Sequence, residues 1–122
     1  MSSILIAEDN KFTAMQYVKF LEAQGHSIDI TSDGNECIKK FKDSLEDNGN
    51  SRYDFVVVDH SMPNKNGADA SSEILNLIPE QKIIFASAYS LSCERNCLQL
   101  KSKVIFLQKP FPLSKLAELV EN

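Results

Sequence analysis

Sulfur is scarce in this chain and badly placed for structural chemistry. The three cysteines, Cys37, Cys93 and Cys97, are odd in number and form no CxxC pair, which argues against a disulfide framework. Cys93 and Cys97 stand four residues apart and could share a helical face, but no histidine or third cysteine lies near them to complete a metal site. A basic excess is missing as well. Thirteen Lys and Arg against 17 Asp and Glu leave a net charge of −4, so there is no electrostatic footprint for nucleic acid or an anionic membrane. No apolar run approaches the length of a membrane span, and Met1-Ser2-Ser3 lacks the charged start of a signal peptide. A cytoplasmic protein is expected, with no membrane insertion and no direct contact with nucleic acid. Linkers, repeats and low-complexity tracts are also lacking, so residues 1–122 read as one domain with no output domain.

What the chain does have is a regular alternation. Short apolar runs, too brief for helices, fall at 3–7 (SILIA), 27–31 (SIDIT), 53–59 (YDFVVVD), 82–87 (KIIFAS) and 104–109 (VIFLQK). Between them lie amphipathic stretches. From Lys11 to Gln24 the spacing predicts a helix with Phe12, Met15, Val18 and Leu21 on its core stripe, Ala14 and Tyr17 beside them, and Gly25 as its end. Ser32 or Asp33 caps a second helix carrying Gly34, Cys37, Ile38, Phe41 and Leu45. A polar loop with an Asn48-Gly49 turn signal follows. A third helix runs from about Gly67 to Ile78, with Ala70, Ile74, Leu77 and Ile78 in register, and stops before Pro79. The segment 89–99 reads as a helix with a thin stripe, Leu91 and Leu98. A last helix carries Leu113, Leu116, Ala117 and Val120.

Strands alternating with helices five times imply a parallel sheet joined by right-handed crossovers, with helices on both faces. In such a sheet all strands end along one edge, where α/β folds bind ligands. The residues at those ends are Glu8 and Asp9, Asp59, Ser87, and Lys109-Pro110. Three carboxylates in one place repel one another unless a cation joins them. An all-oxygen set suits Mg²⁺, which takes one or two carboxylates, waters and a phosphate oxygen. A lysine and a hydroxyl beside that ion are suited to hold a phosphoryl group, and a carboxylate can accept one. Asp59 is the candidate acceptor.

With these residues in order, the chain resembles the receiver domain of two-component response regulators, such as the single-domain chemotaxis regulator. The resemblance spans nearly the whole chain and rests on "AEDN" after strand one, D-x-x-M-P-x-x-x-G from Asp59 to Gly67, Ser87-Ala88, and "KP" at 109–110. It implies a flavodoxin-like (βα)5 fold with strand order 2-1-3-4-5. It also implies that Asp59 is phosphorylated by a sensor histidine kinase or a histidine phosphotransfer protein. Mg²⁺ would be held by Asp9, by Glu8 through a water, by Asp59, and by the backbone carbonyl of Ser61. Ser87 and Lys109 would contact the phosphoryl group, and the Lys109-Pro110 bond would be cis. Phe106, ordinarily a core residue in a strand, takes the aromatic switch position and would turn inward with Ser87.

Ser61 and Tyr89 occupy the positions that tune dephosphorylation in this family, and a bulky Tyr89 implies a shielded, longer-lived phosphoryl group. The switched surface would comprise segment 89–99, strand five and the last helix, which would bind a downstream protein partner. Beyond its own phosphorylation and slow autodephosphorylation, no enzymatic activity is implied. A dehalogenase-type phosphatase would need a second aspartate at position 61, where Ser61 stands. A flavodoxin-like binder would need a phosphate-cradling loop where Glu8 and Asp9 stand. The remaining alternatives are a receiver-like binding module that works without phosphorylation, or a receiver excised from a larger regulator or hybrid kinase. His26 and His60 read as surface or loop residues, with His60 able to affect access to Asp59.

Overall fold

The computed structural model describes residues 2–46, 49, 51–87 and 104–121. Its strands are β1 (Ser3–Ala7), β2 (Ser27–Thr31), β3 (Phe55–Asp59), β4 (Lys82–Ser87) and β5 (Ile105–Gln108). The helices among the described residues are α1 (Lys11–Glu22), α2 (Gly34–Asp43), α3 (Gly67–Leu77) and α4 (Leu113–Val120). The predicted helix at 89–99 lies outside the described residues, as do Ala88 and Tyr89. All strands are parallel, in the order β2-β1-β3-β4-β5, as expected. The polar-faced β2 lies at an edge.

Because successive side chains on a strand point to opposite faces, the sheet divides the core in two. Leu5, Val56, Val58, Ile83 and Phe85 pack with Cys37, Phe41 and Ile74 of α2 and α3 on one face. Ile4, Ile6, Val57, Ile84 and Leu107 pack with Tyr17 and Leu21 of α1 and with Leu116 and Val120 of α4 on the other. β3 is buried along its whole length, as an unbroken β-branched run should be in a sheet covered on both faces.

The helix starts are set by side-chain caps. Asn10 accepts from the Thr13 amide, Asp33 from Glu36, and Asn66 from Asp69. α4 begins after Pro112 with no side-chain cap.

Several expectations fail in detail. The core face of α1 is Ala14, Tyr17 and Leu21, while Phe12 is 74% and Met15 52% exposed. The helix is apolar on two adjacent sides, so periodicity alone did not determine which side meets the sheet. On α3, Leu77 faces out and Leu75 is buried instead. α2 ends at Asp43, where the Ser44 and Leu45 amides turn to the Phe41 and Lys42 carbonyls three residues back, so Leu45 still packs against the core but from outside the helix. Leu45 then forms an antiparallel bridge with Ser51.

Both histidines are buried rather than on the surface. His26 Nδ1 accepts from the Ser2 amide at 2.9 Å, and the His60 ring lies against Phe85 at 5.5 Å between centroids.

Candidate functional site

The sheet register brings the polar strand ends into line. Asp59 is the last residue of β3 and stands opposite Ala86; Ser87, the last of β4, stands opposite Gln108. Backbone bonds continue the ladder past the strands: Glu8 N–H to the Thr31 carbonyl, His60 N–H to Ala86, and Lys109 N–H to Ser87. Glu8, Asp59 and Lys109 are therefore placed by the sheet itself, although they are far apart in sequence. The Lys109-Pro110 peptide is cis.

The side chains converge as their types suggested. Carboxylate oxygens of Glu8, Asp9 and Asp59 lie within 4.8 Å of one another, with Glu8 and Asp59 buried and Asp9 exposed. Lys109 Nζ sits 2.7 Å from Asp59 Oδ1 and 3.3 Å from Glu8 Oε1. The Asn10 amide donates to Glu8 Oε2 at 3.1 Å.

Burial pushes the Glu8 carboxyl above its ordinary range; the Asn10 amide opposes this, and the Asp59 charge adds to it. Burial also raises Asp59, against the pull of the Lys109 hydrogen bond and charge, with Asp9 adding to the rise. For Lys109, burial acts downward but Asp59 and Glu8 outweigh it, so the ammonium is held above its usual range. Among the described residues Lys109 is the cation these three acidic groups share, and two of them resist ionisation.

A hard dication fits this arrangement. Every donor is a carboxylate oxygen, the cluster lies at the exposed edge of the sheet, and Lys109 alone leaves it short of positive charge. Ser61, whose carbonyl was expected to join the set, is exposed two residues beyond Asp59.

Ser87 is buried at the end of β4. Phe106 is half-buried and stacks on Phe85 with centroids 6.0 Å apart. Since Phe85 also meets His60, the three rings form a row from the residue after Asp59 to the expected switch position.

Two residues near the cluster were not singled out in the sequence. Tyr17 lies close enough to feel Lys109, Glu8 and Asp59, and burial pushes its hydroxyl up to about 12. Asn10 both caps α1 and bonds Glu8. An acidic pair followed by a capping residue was the available signal for Asn10; nothing in the sequence pointed to Tyr17.

Comparison with known proteins agrees with this geometry. The family model for the response regulator receiver domain matches residues 4–121. The chain is 28% identical over 120 residues to the chemotaxis protein CheY of Thermotoga maritima, covering 98% of this chain and 94% of that protein. It is 30% identical over 121 residues to the sensor kinase CckA of Brucella abortus, covering 99% of this chain but 12% of the kinase. Among solved structures, response regulator TrrA of Thermotoga maritima in complex with Mg²⁺-BeF superposes with a TM-score of 0.81 at 30% identity, covering 99% of this chain and 97% of that one.

Proposed function

The chain belongs to the response regulator receiver domain family of two-component signalling, and on that premise we propose that it is a phosphorylation-dependent switch with Asp59 as its acceptor. The observation that carries this reading is the Lys109 ammonium 2.7 Å from Asp59, inside a cluster of three carboxylates. A sensor histidine kinase or histidine phosphotransfer protein donates the group. The phosphorus–nitrogen bond to the donor's imidazole breaks as a phosphorus–oxygen bond to Asp59 forms, and the electron pair leaves with the imidazole nitrogen.

Asp9, Asp59 and the Ser61 carbonyl would hold Mg²⁺, with Glu8 acting through a water. When bound, the metal supplies positive charge that offsets the carboxylates and the incoming phosphoryl oxygens. Lys109, already pointing at Asp59, shifts its hydrogen bonds to a phosphoryl oxygen, and the Ser87 hydroxyl donates to another. The phosphoryl group adds charge and acceptors that the resting site lacks, so it favours the packing in which Ser87 has moved toward it. Phe106, stacked on Phe85 at rest, then turns inward, and a surface that includes β5 and α4 changes for a downstream protein. Autodephosphorylation is slow, with Ser61 and Tyr89 setting its rate, and the chain has no other enzymatic activity. The reaction takes place in the cytoplasm; no helix among the described residues is long and apolar enough to cross a membrane.

Intact mass after incubation with a small phosphodonor and Mg²⁺ tests the reading. One added phosphoryl group is expected, absent from Asp59→Asn and when the metal is chelated. If the parent gains no mass and binds no Mg²⁺-beryllofluoride, the reading fails and a phosphorylation-independent binding module replaces it.

A further inference from the structure

The loop from His60 to Asn66 carries Ser61, and its two ends are fixed against β3. The Gly67 amide donates to the His60 carbonyl at 2.9 Å, and a Cβ on Gly67 would lie 2.4 Å from the Asp59 carbonyl oxygen. The tip of the loop is harder to account for. Lys65 N–H donates to the Pro63 carbonyl at 2.7 Å, closing a three-residue turn centred on Asn64 at φ 68°. Turns of this kind are rare for residues with a side chain and need support from outside.

The support comes from the start of α2. Asn64 Nδ2 donates to Asp33 Oδ2 at 2.8 Å, while the other Asp33 oxygen caps the helix on the Glu36 amide at 2.7 Å. Beside it the Lys65 backbone runs so close that a Cβ on Gly34 would lie 2.1 Å from the Lys65 carbonyl oxygen. The Lys65 side chain is tied in turn to Glu73 on α3. The turn after β2 contributes nothing to the acidic cluster, yet it is moulded to the loop that borders the cluster.

We propose that Asp33 and Gly34 are positioning residues for the metal site: they seat the loop tip through Asn64 and Lys65 and so hold the Ser61 carbonyl ready. The inference rests on the function proposed above. Mg²⁺ tolerates little departure from octahedral geometry. A ligand carried on an unseated loop therefore lowers apparent affinity by the fraction of time it is out of place.

Two variants separate this role from a structural one. Gly34→Ala favours the helix by propensity but puts a methyl where the Lys65 carbonyl stands. Asp33→Ser keeps the cap, since serine caps about as well as aspartate, but lacks the second oxygen that accepts from Asn64. Both are expected to weaken Mg²⁺ binding, measured by calorimetry, by about three- to tenfold. The Mg²⁺ concentration for half-maximal phosphorylation should rise equally, with the rate at saturating Mg²⁺ retained and the metal-free melting temperature of Asp33→Ser close to the parent's. Parental Mg²⁺ affinity in both variants overturns the inference while leaving the proposed function standing. A parent that binds no Mg²⁺ overturns both.

Discussion

Replacing Asp59 by asparagine should make the metal-free protein more stable. Asp59 lies within 4.8 Å of both Glu8 and Asp9; at an effective dielectric near 20, each pair repels by about 3.5 kcal/mol. Lys109, at 2.7 Å, attracts by about 6 kcal/mol on the same scale. Repulsion and attraction therefore nearly cancel, leaving about 1 kcal/mol of net repulsion, to which burial of the charge adds. The raised pKa of Asp59 agrees in sign.

Asp59→Asn keeps the shape, removes the charge, and leaves Lys109 its contact with Glu8 at 3.3 Å. A gain of about 1–2 kcal/mol is expected at neutral pH, which is roughly 3–8 °C in melting temperature for a domain of this size. Because the folded pKa lies above the unfolded one, the cost of ionising Asp59 is absent below the unfolded carboxylate pKa of about 3.9, and is complete above the raised folded value. The advantage of Asp59→Asn should therefore shrink to nothing as pH falls toward 3.9. Saturating Mg²⁺ should reverse the order, since a metal at about 100 times its Kd stabilises the parent by about 2.7 kcal/mol. Thermal melts in EDTA and in excess Mg²⁺ across this pH range decide the matter. An Asp59→Asn variant that melts at or below the parent in EDTA at neutral pH would falsify the electrostatic argument.

Lys109→Ala separates metal binding from phosphoryl transfer. Removing a cation from beside Glu8 and Asp59 should tighten Mg²⁺ in a calorimetric titration yet slow phosphorylation by a small donor by about 100-fold, and an unchanged rate counts against Lys109 as a phosphoryl contact. Gly67→Ala forces a methyl against the Asp59 backbone and should cost about 1–3 kcal/mol in urea unfolding. Leu21→Ala on α1 should cost about 2–5 kcal/mol. By contrast, Phe12→Ser should stay within about 0.5 kcal/mol, and a larger loss would mean that the helix buries its other side.

The strands were legible because a sheet covered on both faces writes itself as short β-branched runs, and β3 does so without interruption. Residues of the candidate site were legible for a related reason. Glu8, Asp59 and Lys109 are polar groups placed where buried strands stop, a position that hydrophobic patterning marks even when the groups are 101 residues apart. The rotation of α1 was not legible, because Phe12 and Met15 satisfy the same spacing as Tyr17 and Leu21. Burial of His26 and His60 could not be read either, since each depends on a non-local contact, with the Ser2 amide and the Phe85 ring. The clamp on the loop tip was likewise silent: Gly34 and Lys65 are each ordinary, and only their approach in space gives the glycine a reason.

Lys109 follows β5, which among the described strands pairs with β4 alone and comes latest in the chain. Chains emerge from the ribosome N-terminus first, so the three acidic groups exist long before their counter-charge does. A nascent sheet lacking β5 would bring Glu8, Asp9 and Asp59 together without the ammonium, and their repulsion would loosen that edge unless a cation joined them. Arrival of β5 closes the sheet and delivers the ammonium in one event. A chain cut short before β5 would therefore lose a strand and the ammonium together, and should be less stable than the full sheet.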